Sequence, residues 1–456
     1  MTTIKLDPGA ALLLDALHGA GHAAYAVGGC VRDSLLGLDP HDWDLCTSAR
    51  PEQVMELFGE EKCIPTGLQH GTVTVKQGGR LYETTTFRTE GAYSDGRHPD
   101  AVCFVPDVRE DLARRDFTIN AMAYSAEEGL IDPFGGRDDL AAHLVRAVGE
   151  PERRFEEDAL RILRLYRFAA RFGFAIDPAT GAAARALGPH LDCVSAERIQ
   201  EELLKLLAAP RPGSYLEPAV LAVVLPELEP EKQPERFAEL CRTIDRIEPT
   251  AENVPARLAA LLCPLGEAGA RKALRKLKCS NALTDEVTAL VGGSVGSFLL
   301  PRSRDRWAGS SSEDRPLGWD PAAAGSRAGD GMARTVSEEE APGTPGSEMT
   351  LTAKRLLGRY ELPTVQRLTA LCSARHPEQA EAFAALRAET ERLTAENACC
   401  RVSQLAVNGR DLMAAGVRPG PGLRQVLNAL LEAVITGQTP NEKDALLAAA
   451  AQFSAS

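Results

Sequence analysis

Short runs of β-branched and aromatic residues recur through the first third of the chain: AYAVGG (24–29), WDLCTS (43–48), HGTVTVKQ (70–77) and RLYETTTF (80–87). Runs of this length and composition predict strands. Residues 51–58 and 116–124 carry helical spacing between and after them, and residues 1–21 predict one short apolar helix interrupted by Asp15 and His18. Residues 25–148 therefore read as an α/β region. From about 150 to 290 the period changes to three and four, as in EEDALRILRLYRFAARFGF (156–174), AERIQEELLKLLAA (196–209) and ARKALRKLKCSNALTDEVTALVG (270–292), which predicts an all-α body. The fold class expected is α+β, a mixed sheet with helices followed by helices alone.

Periodicity fails between 296 and 348, where Gly, Ser, Pro and charge dominate, and a disordered insertion or linker is expected there. Helical spacing resumes at LTAKRLLGRYEL (351–362). In GVRPGPGLRQVLNALLEAVITG (416–437) a Pro/Gly break precedes an amphipathic helix.

The chain has 456 residues, 44% of them hydrophobic, which is too long for one core and implies two to four compact units. A net charge of -13 sets no global positive field, so any nucleic-acid surface must be a local patch. Eleven cysteines without a CxxC spacing fit reduced thiols and a cytoplasmic location. The N-terminal apolar stretch is far shorter than the ~20 residues of a membrane span, so neither a signal peptide nor a membrane partner is expected.

Candidate chemistry concentrates in YAVGGCVRDSLLGLDPHDWDLCTS (25–48). A strand ending in Gly28 and Gly29 lets a ligand approach the backbone closely. The helix that follows presents free N–H groups to phosphate oxygens, with Arg32 in its first turn adding a cation and Gly37 stopping it. Asp42 and Asp44 flank Trp43 in a β-rich run, where side chains two apart share a face, and two carboxylates so placed bind hard divalent ions. That is the donor set of two-metal phosphoryl or nucleotidyl transfer, with Glu83 as a third carboxylate if its strand is a neighbour. GGCVRDSLLG fits neither the dinucleotide fingerprint G-x-G-x-x-G nor the P-loop pattern.

In the helical half, Asp158, Arg161, Arg164 and Arg167 recur every third residue in EDALRILRLYRF (157–168), which predicts one polar side on an otherwise apolar helix. Arg161 offers a planar fork to a base edge, and Asp158 accepts from an exocyclic amine, a group common to cytosine and adenine. A helix laced with ion pairs is the plainer alternative. Asp116 likewise reads either as part of a site or as a helix cap.

These stretches, in order with PTGLQHGTVTV (65–75), YETTTFR (82–88), EGAYSDGRHPD (90–100), RRDFTINAMA (114–123) and DPFGG (132–136), resemble the successive motifs of class II, bacterial-type tRNA nucleotidyltransferases, the CCA-adding enzymes. The resemblance continues weakly through LRKLKCSN (274–281) and residues 406–437, sparing only 296–348. It implies a polymerase-β-like catalytic head (1–148), a helical neck (149–212), a body (213–295 and 349–398) interrupted by the insertion, and a tRNA-binding tail (399–456). It also implies Mg²⁺ on Asp42 and Asp44, with Glu83 joining them as a catalytic carboxylate. Nucleotide contacts fall on Gly28, Gly29, Arg32 and Arg115, and on Asp158, Arg161, Arg164 and Arg167, the Asp158–Arg161 pair reading the incoming base in place of a template. The partners implied are the tRNA 3′ end, CTP and ATP, and residues 88–100 would form a flexible loop that shifts specificity from CTP to ATP. An A-adding enzyme, a bacterial poly(A) polymerase and an inactive RNA-binding module are the rivals. No accessory phosphohydrolase is expected, because the His41-Asp42 dipeptide belongs to the transferase motif.

Overall fold

The computed structural model describes residues 3–90, 102–295 and 348–453. Two compact units divide the chain, Met1–Thr288 and Ala289–Ser456.

The first unit is built on strands β1 (Ala24–Val27), β2 (Leu45–Thr47), β3 (Cys63–Gly67), β4 (Thr72–Gln77), β5 (Arg80–Thr86), β6 (Arg88–Glu90), β7 (Val102–Phe104), β8 (Ala123–Ser125) and β9 (Gly129–Ile131). Seven of them form one sheet in the order β3-β4-β5-β2-β1-β8-β9. Only β2 and β5 pair in parallel, with Leu45 opposite Thr84; the remaining neighbours are antiparallel. Period-two burial along β5 explains how this sheet presents chemistry. Tyr82, Thr84 and Thr86 are buried while Leu81 and Glu83 stand exposed on the opposite face. Helix α1 (Pro8–Gly19) covers the buried face, its N-cap Asp7 accepting from Tyr82 and Arg80.

Two expectations for this region need correction. Residues 116–124 do not form a helix: Thr118–Asn120 make one 3₁₀ turn and the chain continues into β8. The backbone of Asp116–Thr118 is taken by residues 146–148, through Thr118 N to Arg146 O (2.9 Å) and Val148 N to Asp116 O (3.1 Å). Phe117, Ile119, Ala121, Met122 and Ala123 are all buried, so the segment has no solvent face for an amphipathic helix to use. The loop expected over 88–100 begins as strand β6, paired with β7; residues 91–100 of it, and 296–347 of the expected insertion, lie outside the described residues, Glu348 already opening a helix.

After α2 (Gly29–Leu35), α3 (Pro51–Phe58), α4 (Val108–Ala113) and α5 (Gly136–Ala141) of the sheet region come α6 (Pro151–Glu157), α7 (Leu160–Phe172), α8 (Pro178–Ala186), α9 (Ala196–Leu207), α10 (Pro218–Val224), α11 (Pro234–Arg246), α12 (Val254–Leu262) and α13 (Gly266–Lys276). Strand β10 (Leu144–Val145) pairs with β11 (Ala175–Ile176), tying the end of the sheet region to the end of α7. Helix α14 (Asn281–Val295) runs across the boundary between the units. In the second unit α15 (Glu348–Arg359), α16 (Leu362–Arg375) and α17 (Ala380–Ala395) pack together, and α18 (Gly409–Ala414), α19 (Pro421–Ile435) and α20 (Lys443–Phe453) close over a core of Leu412, Val426, Leu430 and Leu446. All eleven cysteines are free, as their spacing predicts. Among the described residues no helix is long and apolar enough to cross a membrane.

One buried cation fixes the helical part of the first unit. Arg257 of α12, fully buried, donates to Leu207 O (2.7 Å) and Ala209 O (2.5 Å) at the end of α9 and to Ile247 O (2.5 Å) after α11. Helix ends leave carbonyls without intrahelical donors, and here one guanidinium satisfies those of two helices. Replacing Arg257 by Met strands these acceptors and is expected to cost about 3–5 kcal/mol, read as a lowered denaturant midpoint of the first transition; an unchanged midpoint would show that water replaces the guanidinium.

Candidate active site

Strand β1 runs into Gly28, whose φ of 77° only glycine adopts without strain. A β-carbon there would lie 2.8 Å from Arg115 Nη1, so the turn is also a close approach. Gly29 opens α2 with ordinary φ. Arg32, expected beside an anion, is 4% exposed and committed inward: Nε donates to Asp33 (2.8 Å), Nη1 donates to Asn120 Oδ1 (2.5 Å), and its guanidinium carbon lies 5.3 and 4.9 Å from the Phe168 and Phe172 ring centroids. Its charge supports the glycine turn from behind.

Asp42 and Asp44 are exposed on either side of buried Trp43. Strand β2 begins only at Leu45, one residue later than the pair, yet Asp44 O still accepts from Val27 N at 2.9 Å, which extends the β1–β2 ladder to it. The parallel register, Leu45 opposite Thr84, brings Asp44 level with Glu83 on the exposed face. Their proximity shows electrostatically: desolvation raises the Asp44 carboxyl above the usual range, Arg115 pulls it back, and the negative charges of Glu83 and Asp42 add to the rise. Among the described residues no three such side chains already converge at metal-ligand distance. Two adjacent carboxylates with open water positions nevertheless suit a magnesium ion, which dehydrates reluctantly and binds through one or two carboxylates.

Arg115 stands between these features. It lies near the buried Asp111 carboxylate at 3.6 Å, and its Nε has no hydrogen-bond partner among the described residues. A cation held this loosely beside Gly28 and Asp44 suits an incoming anion.

The helical candidates divide differently from their spacing. Helix α6 ends at Glu157, and Asp158 is extended at φ -148° and ψ 103° before α7 begins, so Asp158 does not share a helical side with Arg161, Arg164 and Arg167. Its Oδ1 caps Leu160 N (3.1 Å), and a break at this point lets the carboxylate face α9, where Arg198 donates to Oδ1 (3.2 Å) and Oδ2 (2.8 Å). Arg161 is 9% exposed; Nη1 donates to Glu157 (2.7 Å) and Arg154 O (3.0 Å), and Nη2 to Arg114 O (3.0 Å). Arg164 grips Asp116 Oδ2 with Nε (2.9 Å) and Nη2 (2.7 Å). Arg167 bonds Glu202 at 2.5 Å and lies 4.0 Å over the Phe168 ring.

Asp116 is thus more than a cap. Burial alone would raise its pKa, but Arg164, the amide of Asn120 and the more distant Arg161 overcome this and hold it at about 2. The residues the motif reading missed are the partners: Asn120, Glu157, Arg198 and Glu202. For α9 a signal existed, since Arg198 and Glu202 sit four apart among Ile199, Leu203 and Leu206, two charges near an apolar face.

The fold and these carboxylates define a nucleotidyltransferase of the polymerase-β-like class, whose members generally use divalent metal ions. Residues 24–146 match the poly(A) polymerase head domain, 173–232 a probable RNA- and SrmB-binding site of polymerase A, and 359–450 tRNA nucleotidyltransferase domain 2. The CCA-adding enzyme of Lactobacillus helveticus is 34% identical over 95% of this chain and 94% of its own. A solved structure of the Bacillus stearothermophilus CCA-adding enzyme, in complex with CTP, is 31% identical with a TM-score of 0.74 and covers 98% of both chains. The Thermotoga maritima CCA-adding enzyme complexed with tRNA shares the fold at a TM-score of 0.63 and 20% identity, over 98% of this chain and 96% of that one. The chain belongs to the CCA-adding enzymes, the tRNA 3′-end nucleotidyltransferases of class II.

Because Asp116 has a folded pKa of about 2 against 3.8 unfolded, its stabilisation is fully present above about pH 4 and is lost as pH falls toward 2. Asp116→Asn is expected to remove about 2 kcal/mol at pH 7 and progressively less below pH 4. Urea midpoints of both proteins across that range check it, and a pH-independent gap would contradict the assignment.

Proposed function

We propose that this chain builds and repairs the complete 3′-terminal CCA of tRNA in the cytoplasm, joining CTP and then ATP to the tRNA 3′-hydroxyl with release of pyrophosphate. The division into head (1–148), neck (149–212), body (213–295 and 349–398) and tail (399–456) belongs to the same reading. One observation supports it most: Arg161 donates to the Arg114 carbonyl, and Arg115, the next residue, stands beside Gly28 and Asp44. Groups suited to choosing a base and groups suited to transferring a phosphate are therefore anchored one peptide apart.

In this mechanism Gly28 and Gly29 give the triphosphate close access to backbone, and Arg115 takes up its charge. Asp42 and Asp44 would hold Mg²⁺, with Glu83 beside them; when bound, the ion supplies charge stabilisation at the α-phosphate and a more acidic 3′-hydroxyl. Asp158 accepts a hydrogen bond from the exocyclic amine of cytosine or adenine, Arg161 donates to the neighbouring ring acceptor, and Arg164 and Arg167 keep α7 seated below the nucleotide. Uracil and guanine, with a keto oxygen in place of the amine, meet a carboxylate oxygen and are repelled.

The test is incubation of purified protein with tRNA lacking its last three nucleotides, Mg²⁺ and each labelled triphosphate. Two C residues followed by one A are expected. Long A tails would indicate a poly(A) polymerase, and labelling only of tRNA already ending in CC would indicate an A-adding enzyme. Asp44→Asn is expected to lower the rate at least about 10²-fold while leaving the unfolding midpoint in place; full turnover by that variant would remove the metal assignment.

A further inference from the structure

Counting hydrogen-bond valences at Asp158 and Arg161 shows how little of each is left for a ligand. A carboxylate has about four acceptor positions and a guanidinium five donors. Three of the Asp158 positions are filled, two on Oδ1 by Leu160 N and Arg198 Nη1 and one on Oδ2 by Arg198 Nη2. Three Arg161 donors are filled, by Arg154 O, Glu157 and Arg114 O. What remains among the described residues is one acceptor, on Asp158 Oδ2, and two donors, Nε and the second hydrogen of Nη2. Cytosine presents an amine donor and two acceptors on its pairing edge, and adenine an amine and one acceptor; the residual valence complements both. Uracil and guanine each place a keto oxygen where the acceptor stands.

We propose that Arg198 of α9 is a specificity-determining positioning residue, which turns Asp158 into a single acceptor of fixed direction. This rests on the reading above in which Asp158 and Arg161 select the base. An aspartate carboxylate rotates in a broad, roughly two-fold well, and the extended backbone at Asp158 supplies no helical packing to restrain it. The bidentate fork of Arg198 sets its plane. Only a planar guanidinium does this, because a lysine ammonium supplies the charge without the paired geometry. Arg198 touches the reacting nucleotide nowhere in this scheme; it acts through Asp158.

The experiment compares kcat/KM for CTP and UTP on tRNA lacking its last three nucleotides, and for ATP and GTP on tRNA lacking only the last, in the parent, Arg198→Ala, Arg198→Lys, Asp158→Ala and the Asp158→Ala/Arg198→Ala double variant. Arg198→Ala is expected to lower kcat/KM for CTP and ATP about 10–100-fold and to reduce the CTP-over-UTP preference at least about tenfold. Arg198→Lys is expected to recover rate more than preference. In the double variant the second substitution is expected to add less than about twofold to the loss from Asp158→Ala alone. Thermal unfolding of each variant is read in parallel, and if Arg198→Ala does not fold, Arg198→Lys carries the same preference measurement. A loss of rate with the CTP-over-UTP preference intact in Arg198→Ala and Arg198→Lys, or multiplicative losses in the double variant, would overturn the proposal. If Asp158→Ala itself keeps the preference, the base-reading assignment fails; if Asp158→Ala loses it and the Arg198 variants do not, only the role of Arg198 fails.

Discussion

A single buried carboxylate, that of Asp116, connects the catalytic sheet to the helices that follow. Oδ1 accepts from Phe117 N (2.8 Å) and Asn120 (3.1 Å), and Oδ2 takes the Arg164 fork. Asn120 also accepts from Arg32 behind the glycine turn, and Arg164 lies 3.8 Å from Glu202 of α9, which holds Arg167. A chain of hydrogen bonds and ion pairs therefore runs from the turn after β1 to α7 and α9. Such a network rigidifies when complete and destabilises when one member is removed. The Asp116 backbone is itself fixed by Val148 N, so α7 is registered on the sheet and not merely packed near it.

The same pairing explains how an acidic protein carries so many arginines at one junction. Arg146 pairs with Asp139 and Asp177, Arg153, Arg154 and Arg161 with Glu157, Arg164 with Asp116, Arg167 with Glu202 and Arg171 with Asp33. The positive charge of these residues is thus largely neutralised within the fold. Arg115 is the loosest of them, 3.6 Å from Asp111 and with an Nε that has no hydrogen-bond partner among the described residues. At Asp44 it is Arg115 that pulls the carboxyl pKa down against desolvation and the neighbouring acids Glu83 and Asp42.

Much of the site was legible because its elements are local. The Gly28–Gly29 turn, the Asp42–Trp43–Asp44 alternation and the strand around Glu83 announce themselves through backbone requirements and period-two burial. The division into a sheet region and a helical remainder followed from the change in hydrophobic period. The short strand β8 and the 3₁₀ turn at Thr118–Asn120 did not follow, because residues 116–125 are buried throughout and periodicity carries no information there; β9, at the sheet edge, is only three residues long. The break at Asp158 was hidden for a related reason: a residue every third position looks helical whether or not the backbone pauses, and the partner the pause lets its carboxylate meet, Arg198, lies forty residues away. Partners supplied by distant elements leave no mark on local spacing.

On this reading one protein surface, built on Asp116, holds the incoming nucleotide with its triphosphate at the glycine turn and its base at the start of α7. A crystal structure of the chain with CTP and Mg²⁺ tests it most directly. Phosphate oxygens are expected within hydrogen-bond distance of Arg115 and the Gly28–Gly29 backbone, the ion on Asp42 and Asp44, and the cytosine amine on Asp158 Oδ2. Cytosine bound away from both Asp158 and Arg161 would contradict it.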